Sequence, residues 1–181
     1  MKLRTSHRSR SVVLELGQKD EGLPPVAVPE LQVNRVLVPV DFSECSHKAF
    51  QYATHFARQF NAEMMLLHVI IAIPPAPEML FMEAEGLSGK YHEDIAKELS
   101  QWRNEIALKV SVKAVTRTGM AAYQEIIEAA RESNTDLIII GHRGQSSLTR
   151  MFIGSTAEKV VRHAPCPVLV IRDQEHDFVR E

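Results

Sequence analysis

Two short segments of this chain hold residues whose types and spacing could bind a charged ligand. The first is Gly141-His142-Arg143-Gly144, followed after nine residues by Gly154-Ser155-Thr156. Glycine lets a backbone approach a ligand that a side chain would hold off. From Gly141 to Ala157 there is no acidic residue, while Arg143 and Arg150 are cationic. Ser155 and Thr156 add hydroxyl donors. The helical spacing that follows them brings free backbone N–H groups and the positive end of a helix dipole to the same place. Together these features describe an anion cradle suited to phosphates. A plain helix cap at Ser155, preceded by an irregular loop, uses the same residue types. The second segment, Pro39-Val40-Asp41-Phe42-Ser43, is a turn carrying one carboxylate. Asp in such a place also serves turns and helix starts for purely local reasons.

Other chemistries lack their signatures. There is no GxxxxGK[ST] phosphate loop, and the Pro39–Ser43 turn has no glycine, so the dinucleotide fingerprint is missing too. Cys45 and Cys166 form no metal spacing, and His47 and His55 have no carboxylate or cysteine at ligand distance along the chain. No metal site is expected. Cys45 lies near a helix start, where a thiol pKa can fall, so a redox role stands beside that of a small helix-start residue. His142 reads either as a nucleotide contact or as a solvated loop residue. No nucleophile–base pair, carboxylate dyad or loop lysine emerges. No catalytic residue is assigned, and an enzyme is not expected.

The elements that must position these segments follow from periodicity. Arg35 to Val40, Met64 to Ile71, Leu137 to Ile140 and Pro167 to Ile171 are apolar runs suited to strands covered on both faces. Val110 to Thr116 alternates instead, as a strand near a sheet edge would. Four sets of apolar residues recur at helical spacing: Ala49, Ala53, Phe56, Ala57 and Phe60; Tyr91, Ile95, Leu99, Trp102 and Ile106; Tyr123, Ile126, Ile127 and Ala130; and Ala157, Val160, Val161 and Ala164. Strand and helix alternate strictly. This predicts an α/β fold, a doubly wound five-stranded parallel sheet with helices on both faces and right-handed crossovers. Ligands of such sheets bind outside the carboxyl ends of strands, where both segments fall.

The same motifs resemble the universal stress protein family. Its Gly-x2-Gly-x9-Gly-[Ser/Thr] pattern after the fourth strand is matched by Gly141, Gly144, Gly154 and Ser155. Its Pro-x-Asp-x-Ser ending of the first strand is matched by Pro39, Asp41 and Ser43, with Leu66-Leu67-His68-Val69 and Pro165-Cys-Pro-Val-Leu-Val-Ile171 also typical. The resemblance runs from about Asn34 to Arg172. It implies an adenine-nucleotide site, with ATP as ligand and Mg²⁺ held through the phosphates. Pro39 and Asp41 would flank the ribose, with Val40 between them. Val69 would offer its backbone to the adenine edge. Gly141, Gly144, Gly154, Ser155 and Thr156 would cradle the phosphates. His142 and Arg143 occupy variable positions of the motif, and a role for Arg143 follows from its charge. The resemblance also implies a stress-response regulatory module with at most slow hydrolysis. An interaction scaffold holding AMP, cyclic AMP or no nucleotide is the alternative.

Composition sets the remaining expectations. The 181 residues are 45% hydrophobic and 24% charged, with formal net charge −2. That is ordinary for one globular domain and argues against a nucleic-acid partner. No apolar run is long enough to cross a membrane. Two cysteines without a framework suit a reducing cytoplasm. Residues 1–33 read as a flexible arm, 34–173 as the nucleotide-binding domain and 174–181 as a charged tail. The apolar last strand, Val168–Ile171, predicts a homodimer paired through it.

Overall fold

The computed structural model describes residues 30–72, 87–106, 110–144 and 153–172, together with two short strands near the N-terminus. The middle of the glycine-rich loop with Arg150, the prolines at 74, 75 and 77, and the 174–181 tail lie outside the described residues.

The chain divides into two units, Met1–Leu31 and Gln32–Glu181. In the first, β1 (Lys2–Thr5) pairs antiparallel with β2 (Val12–Glu15). The sequence reading has no element within 1–33. Four-residue strands are too short to show a countable period, and pairing depends on cross-strand bonds that a linear pattern does not reveal.

The second unit alternates β3 (Arg35–Pro39), α1 (Glu44–Phe60), β4 (Glu63–Ile71), α2 (Leu87–Ile106), β5 (Val112–Gly119), α3 (Ala122–Glu132), β6 (Leu137–Gly141), α4 (Ser155–His163) and β7 (Val168–Ile171). The strands form one parallel sheet in the order β5-β4-β3-β6-β7. The expected five-stranded, doubly wound sheet is therefore present. Strand neighbours run outward from β3 to β4 and β5 on one side, then to β6 and β7 on the other. The connections leaving β3 and β6 diverge, which opens a crevice at their carboxyl ends.

Each central strand buries both faces, as its continuous apolar run requires. Val36, Val38 and Leu66 pack with Ala49 and Ala53 of α1 and Leu99 and Trp102 of α2. Leu37, Leu67, Ile138 and Ile140 pack with Ile126 and Ala130 of α3 and Ala157 and Val160 of α4. Two residues read as part of helical stripes face solvent instead: Tyr91 is 56% exposed and Val161 49%. Ala157 and Val160 already occupy the inner line of α4, and Val161 sits about 100° further round the helix. β5 starts at Val112 rather than Val110 and runs on to Gly119, and it is an edge strand as its alternation suggests. Among the described residues, no helix is long and apolar enough to cross a membrane.

Candidate functional site

The turn from β3 into α1 aims Asp41 and Phe42 at opposite faces of the sheet. Ser43 caps α1: its hydroxyl accepts the Ser46 N–H at 3.2 Å and donates to Asp41 Oδ1 at 2.6 Å. The Ser43 N–H also donates to Oδ1, at 3.2 Å. These bonds hold the carboxylate in one orientation. Phe42 has φ 63°, a left-handed value that is rare for a bulky residue and costs on the order of 1–3 kcal/mol. The reversal sends its ring towards α2, where it stacks on His68 with centroids 4.7 Å apart and meets the edge of Trp102 at 5.6 Å. Asp41 is left facing the α3–α4 side, where it lines a cavity.

The second wall comes from β6 and the start of α4. Gly141 ends β6 where the first turn of α1 crosses close by. A Cβ there would lie 2.9 Å from the backbone carbonyl carbon and oxygen of Cys45. Its glycine is therefore required by helix–strand contact inside the fold. At Gly144 a Cβ would run into the Asp41 carboxylate, so that glycine lets the two segments close on each other. The two ends of the loop are tied by Gly154 N–H donating to the His142 carbonyl at 2.7 Å. Gly154 is the N-cap of α4 and, having no side chain to cap with, leaves Ser155 inside the first turn. The first N–H groups of a helix have no partner within it. Here they open on the cavity, which Ser155, Thr156 and Ala157 line.

Register supplies a third element. The last β3 partner of β4 is Leu67, opposite Pro39, yet β4 continues to Ile71. Leu67 O accepts the Val40 N–H at 2.9 Å, so Leu67 turns its backbone groups towards β3. Backbone direction alternates along a strand, so Val69 turns its N–H and C=O the same way. Beyond the end of β3 no described strand meets them. A hydrogen-bonding edge thus flanks an apolar slot formed by Val69, Ile71, Ala122 and Ile126.

The cavity enclosed by these walls has a volume of about 420 Å³. Pro39, Val40, Asp41, Val69, Gly141, Arg143, Gly144, Gly154, Ser155 and Thr156 all line it, as the sequence reading groups them. Val40 keeps its side chain in the core beside α1 and α2. His142 is not among the lining residues. His142 is 6% exposed, with its ring behind the loop and Nδ1 3.0 Å from Cys45 Sγ, and its backbone N–H donates to Ile171 O at 2.8 Å. Ser46, Leu67, Ile71, Ala122, Ile126, Ile140, Ile153 and Ala157 also line it and are not among the site residues expected from the sequence. Only the apolar runs of β4 and β6 and the inner stripes of α3 and α4 hint at the apolar ones. Among the described residues, no three His, Cys, Asp or Glu side chains gather as a metal site would need.

A family model for the universal stress protein family matches residues 32–172. Universal stress protein MJ0531 of Methanocaldococcus jannaschii is 31% identical over 142 residues, which is 76% of this chain and 81% of that one. The solved structure of universal stress protein UspA from Lactobacillus plantarum is 29% identical. It matches with TM-score 0.67 over 79% of this chain and all of its own, 100%. Two solved proteins of the same fold, each 22% identical, carry ligands. One is a universal stress protein in complex with cAMP (TM-score 0.59, covering 80% of this chain and 100% of that one). The other is an Arabidopsis thaliana family protein with AMP bound (TM-score 0.53, covering 78% and 92%). Motif order, sheet topology and full-domain similarity agree: this chain belongs to the universal stress protein family.

Proposed function

We propose that this chain is a stress-response regulatory module that binds ATP in the cavity at the β3–β6 switch point. The carrying observation is the arrangement of three different recognition surfaces around one cavity of about 420 Å³. The open β4 edge at Val69, beside an apolar slot, suits a planar base. The fixed Asp41 carboxylate suits sugar hydroxyls, which donate to it. The first turn of α4, with Ser155, Thr156 and the Arg143 side chain, suits phosphates. The solved relatives holding cAMP and AMP make adenine the favoured base.

Mg²⁺ fits only in part. Asp41 is the one carboxylate lining the cavity among the described residues, and its Oδ1 already accepts from Ser43. The ion would therefore be held chiefly by phosphate oxygens, with the Ser155 and Thr156 hydroxyls in reach, and it would neutralise phosphate charge. Among the described residues, the lining holds no Lys, His or second carboxylate to act as a base. Hydrolysis is accordingly slow, and signalling through bound nucleotide is the role, in the cytoplasm. β7 is a sheet edge, and homodimerisation through it completes the reading.

The test is mass spectrometry of nucleotide released from the purified protein, followed by calorimetry with ATP, AMP and cyclic AMP. ATP binding tighter than AMP binding supports the proposal. Preference for AMP or cyclic AMP would assign the alternative ligand, and no binding of any of them would overturn the site.

A further inference from the structure

His68 lies outside the nucleotide cavity, on the opposite face of the sheet, yet it touches both neighbours of Asp41. Its Nδ1 is 2.9 Å from the carbonyl oxygen of Val40. A carbonyl only accepts, so Nδ1 carries the proton and donates. The ring face stacks on Phe42 at 4.7 Å, the planes inclined by 23°. His68 is 9% exposed, so neither contact competes readily with water. Trp102 closes the far side of Phe42 edge-on, at 5.6 Å.

The neighbours need holding. Phe42 sits at φ 63°, where an aromatic residue does not rest unless its surroundings fix it. Relaxation of that residue would swing the chain between Val40 and Ser43, and Asp41 is in the middle of that chain. The bonds from Ser43 orient the carboxylate relative to α1 but not relative to β4, where the base slot lies. His68 belongs to β4, one residue before Val69. The backbone bond from Val40 N–H to Leu67 O fixes the start of the turn on that strand, and His68 extends the tie past it to the Val40 carbonyl and the Phe42 ring.

We propose that His68 is a positioning residue for recognition of the ribose. It sets the distance between Asp41 and the Val69 edge through the Val40 carbonyl and the Phe42 ring. The inference rests on the adenine-nucleotide reading of the cavity and deepens it. It concerns the nucleoside half of the ligand and leaves the phosphate half untouched.

The experiment is calorimetry on the full chain with two probes, ATP and inorganic triphosphate. His68→Phe keeps a stacking ring and removes the donor; His68→Asn restores an N–H near the position of Nδ1. His68→Phe should weaken ATP about tenfold, as loss of one buried hydrogen bond does, and leave triphosphate affinity unchanged. His68→Asn should recover most of the loss. The double variant Asp41→Ala with His68→Phe should bind ATP no more weakly than Asp41→Ala alone, because the two act through one contact. Phe42→Leu, which removes the stacked ring, should show the same selective loss if His68→Phe does not fold. Unchanged ATP affinity in His68→Phe, equal loss with both probes, or additive losses in the double variant would each overturn the proposal. A wild-type protein that binds triphosphate but not ATP would instead overturn the adenine-nucleotide reading itself, and this one with it.

Discussion

The carboxylate of Asp41 occupies the space that a Cβ on Gly144 would take, so the first and fourth crossover segments of the sheet meet at one atom's width. This contact joins the ends of the cavity proposed above for the sugar and the phosphates. Gly144→Ala should therefore displace Asp41 and weaken ATP at least tenfold, while stability falls by only about 1–2 kcal/mol, because Asp41 is partly exposed and turning away gives up its bonds from Ser43. Calorimetry and a melting curve on the same sample check both halves. Unchanged ATP affinity would show that Asp41 is not a ligand contact.

Gly141 should behave differently. Its added Cβ meets the backbone of Cys45 at 2.9 Å, and backbone within a helix cannot rotate aside. Gly141→Ala should cost about 1–3 kcal/mol of stability, the range for overpacking a close contact. Urea unfolding of the ligand-free protein measures it. A loss confined to nucleotide affinity would place this glycine in the cradle rather than in the packing.

For Asp41→Ala, ATP binding should weaken by roughly 1.5–3 kcal/mol, the worth of a hydrogen bond to a charged group. Binding of inorganic triphosphate should be nearly unaffected. Equal weakening of both ligands would point to a metal-holding role for the carboxylate.

Turnover should be slow. With no general base among the described residues that line the cavity, ATP hydrolysis is expected well below the roughly 1–1000 per second of ordinary enzymes. Phosphate release followed over hours is the measurement. Rapid turnover abolished by a single polar substitution would reassign the protein as an enzyme.

Assembly can be tested at β7 through its backbone. Pro167 O and Ile171 O accept from Ile138 and His142 of the β6 segment. By alternation, Val168 and Val170 direct their N–H and C=O groups to the open edge. Their side chains pack on the α3–α4 core, and Leu169 and Ile171 pack on the α1–α2 core. A lysine at Val168 or Val170 would thus disturb the core as well as the edge. Val170→Pro removes an outward donor, which an edge strand tolerates, and leaves an apolar side chain on the core. The wild-type chain should scatter light as a dimer and Val170→Pro as a monomer. A wild-type mass near 20.4 kDa at every dilution would refute the dimer.

The linear order of residues by itself determined the layer structure of the main unit. Short apolar runs rich in Val and Ile, alternating with amphipathic helical stripes, read as strands between helix layers, and the breaks at Gly141 and Gly154 mark where the backbone must come close to something. Tertiary structure decided what each glycine comes close to: α1 backbone at Gly141, the Asp41 carboxylate at Gly144. It also removed His142 from the cradle and set it against Cys45, a contact across 97 positions of sequence that no local pattern encodes. The apolar slot beside Val69 is of the same kind. By periodicity alone Val69 is an ordinary strand residue, marked out only by the family resemblance, and its backbone extends past the end of β3 because β3 ends at Pro39 while β4 continues to Ile71. Periodicity records which face a side chain takes. Register between strands, and the reach of one crossover to another, depend on packing in three dimensions and leave no repeat to read.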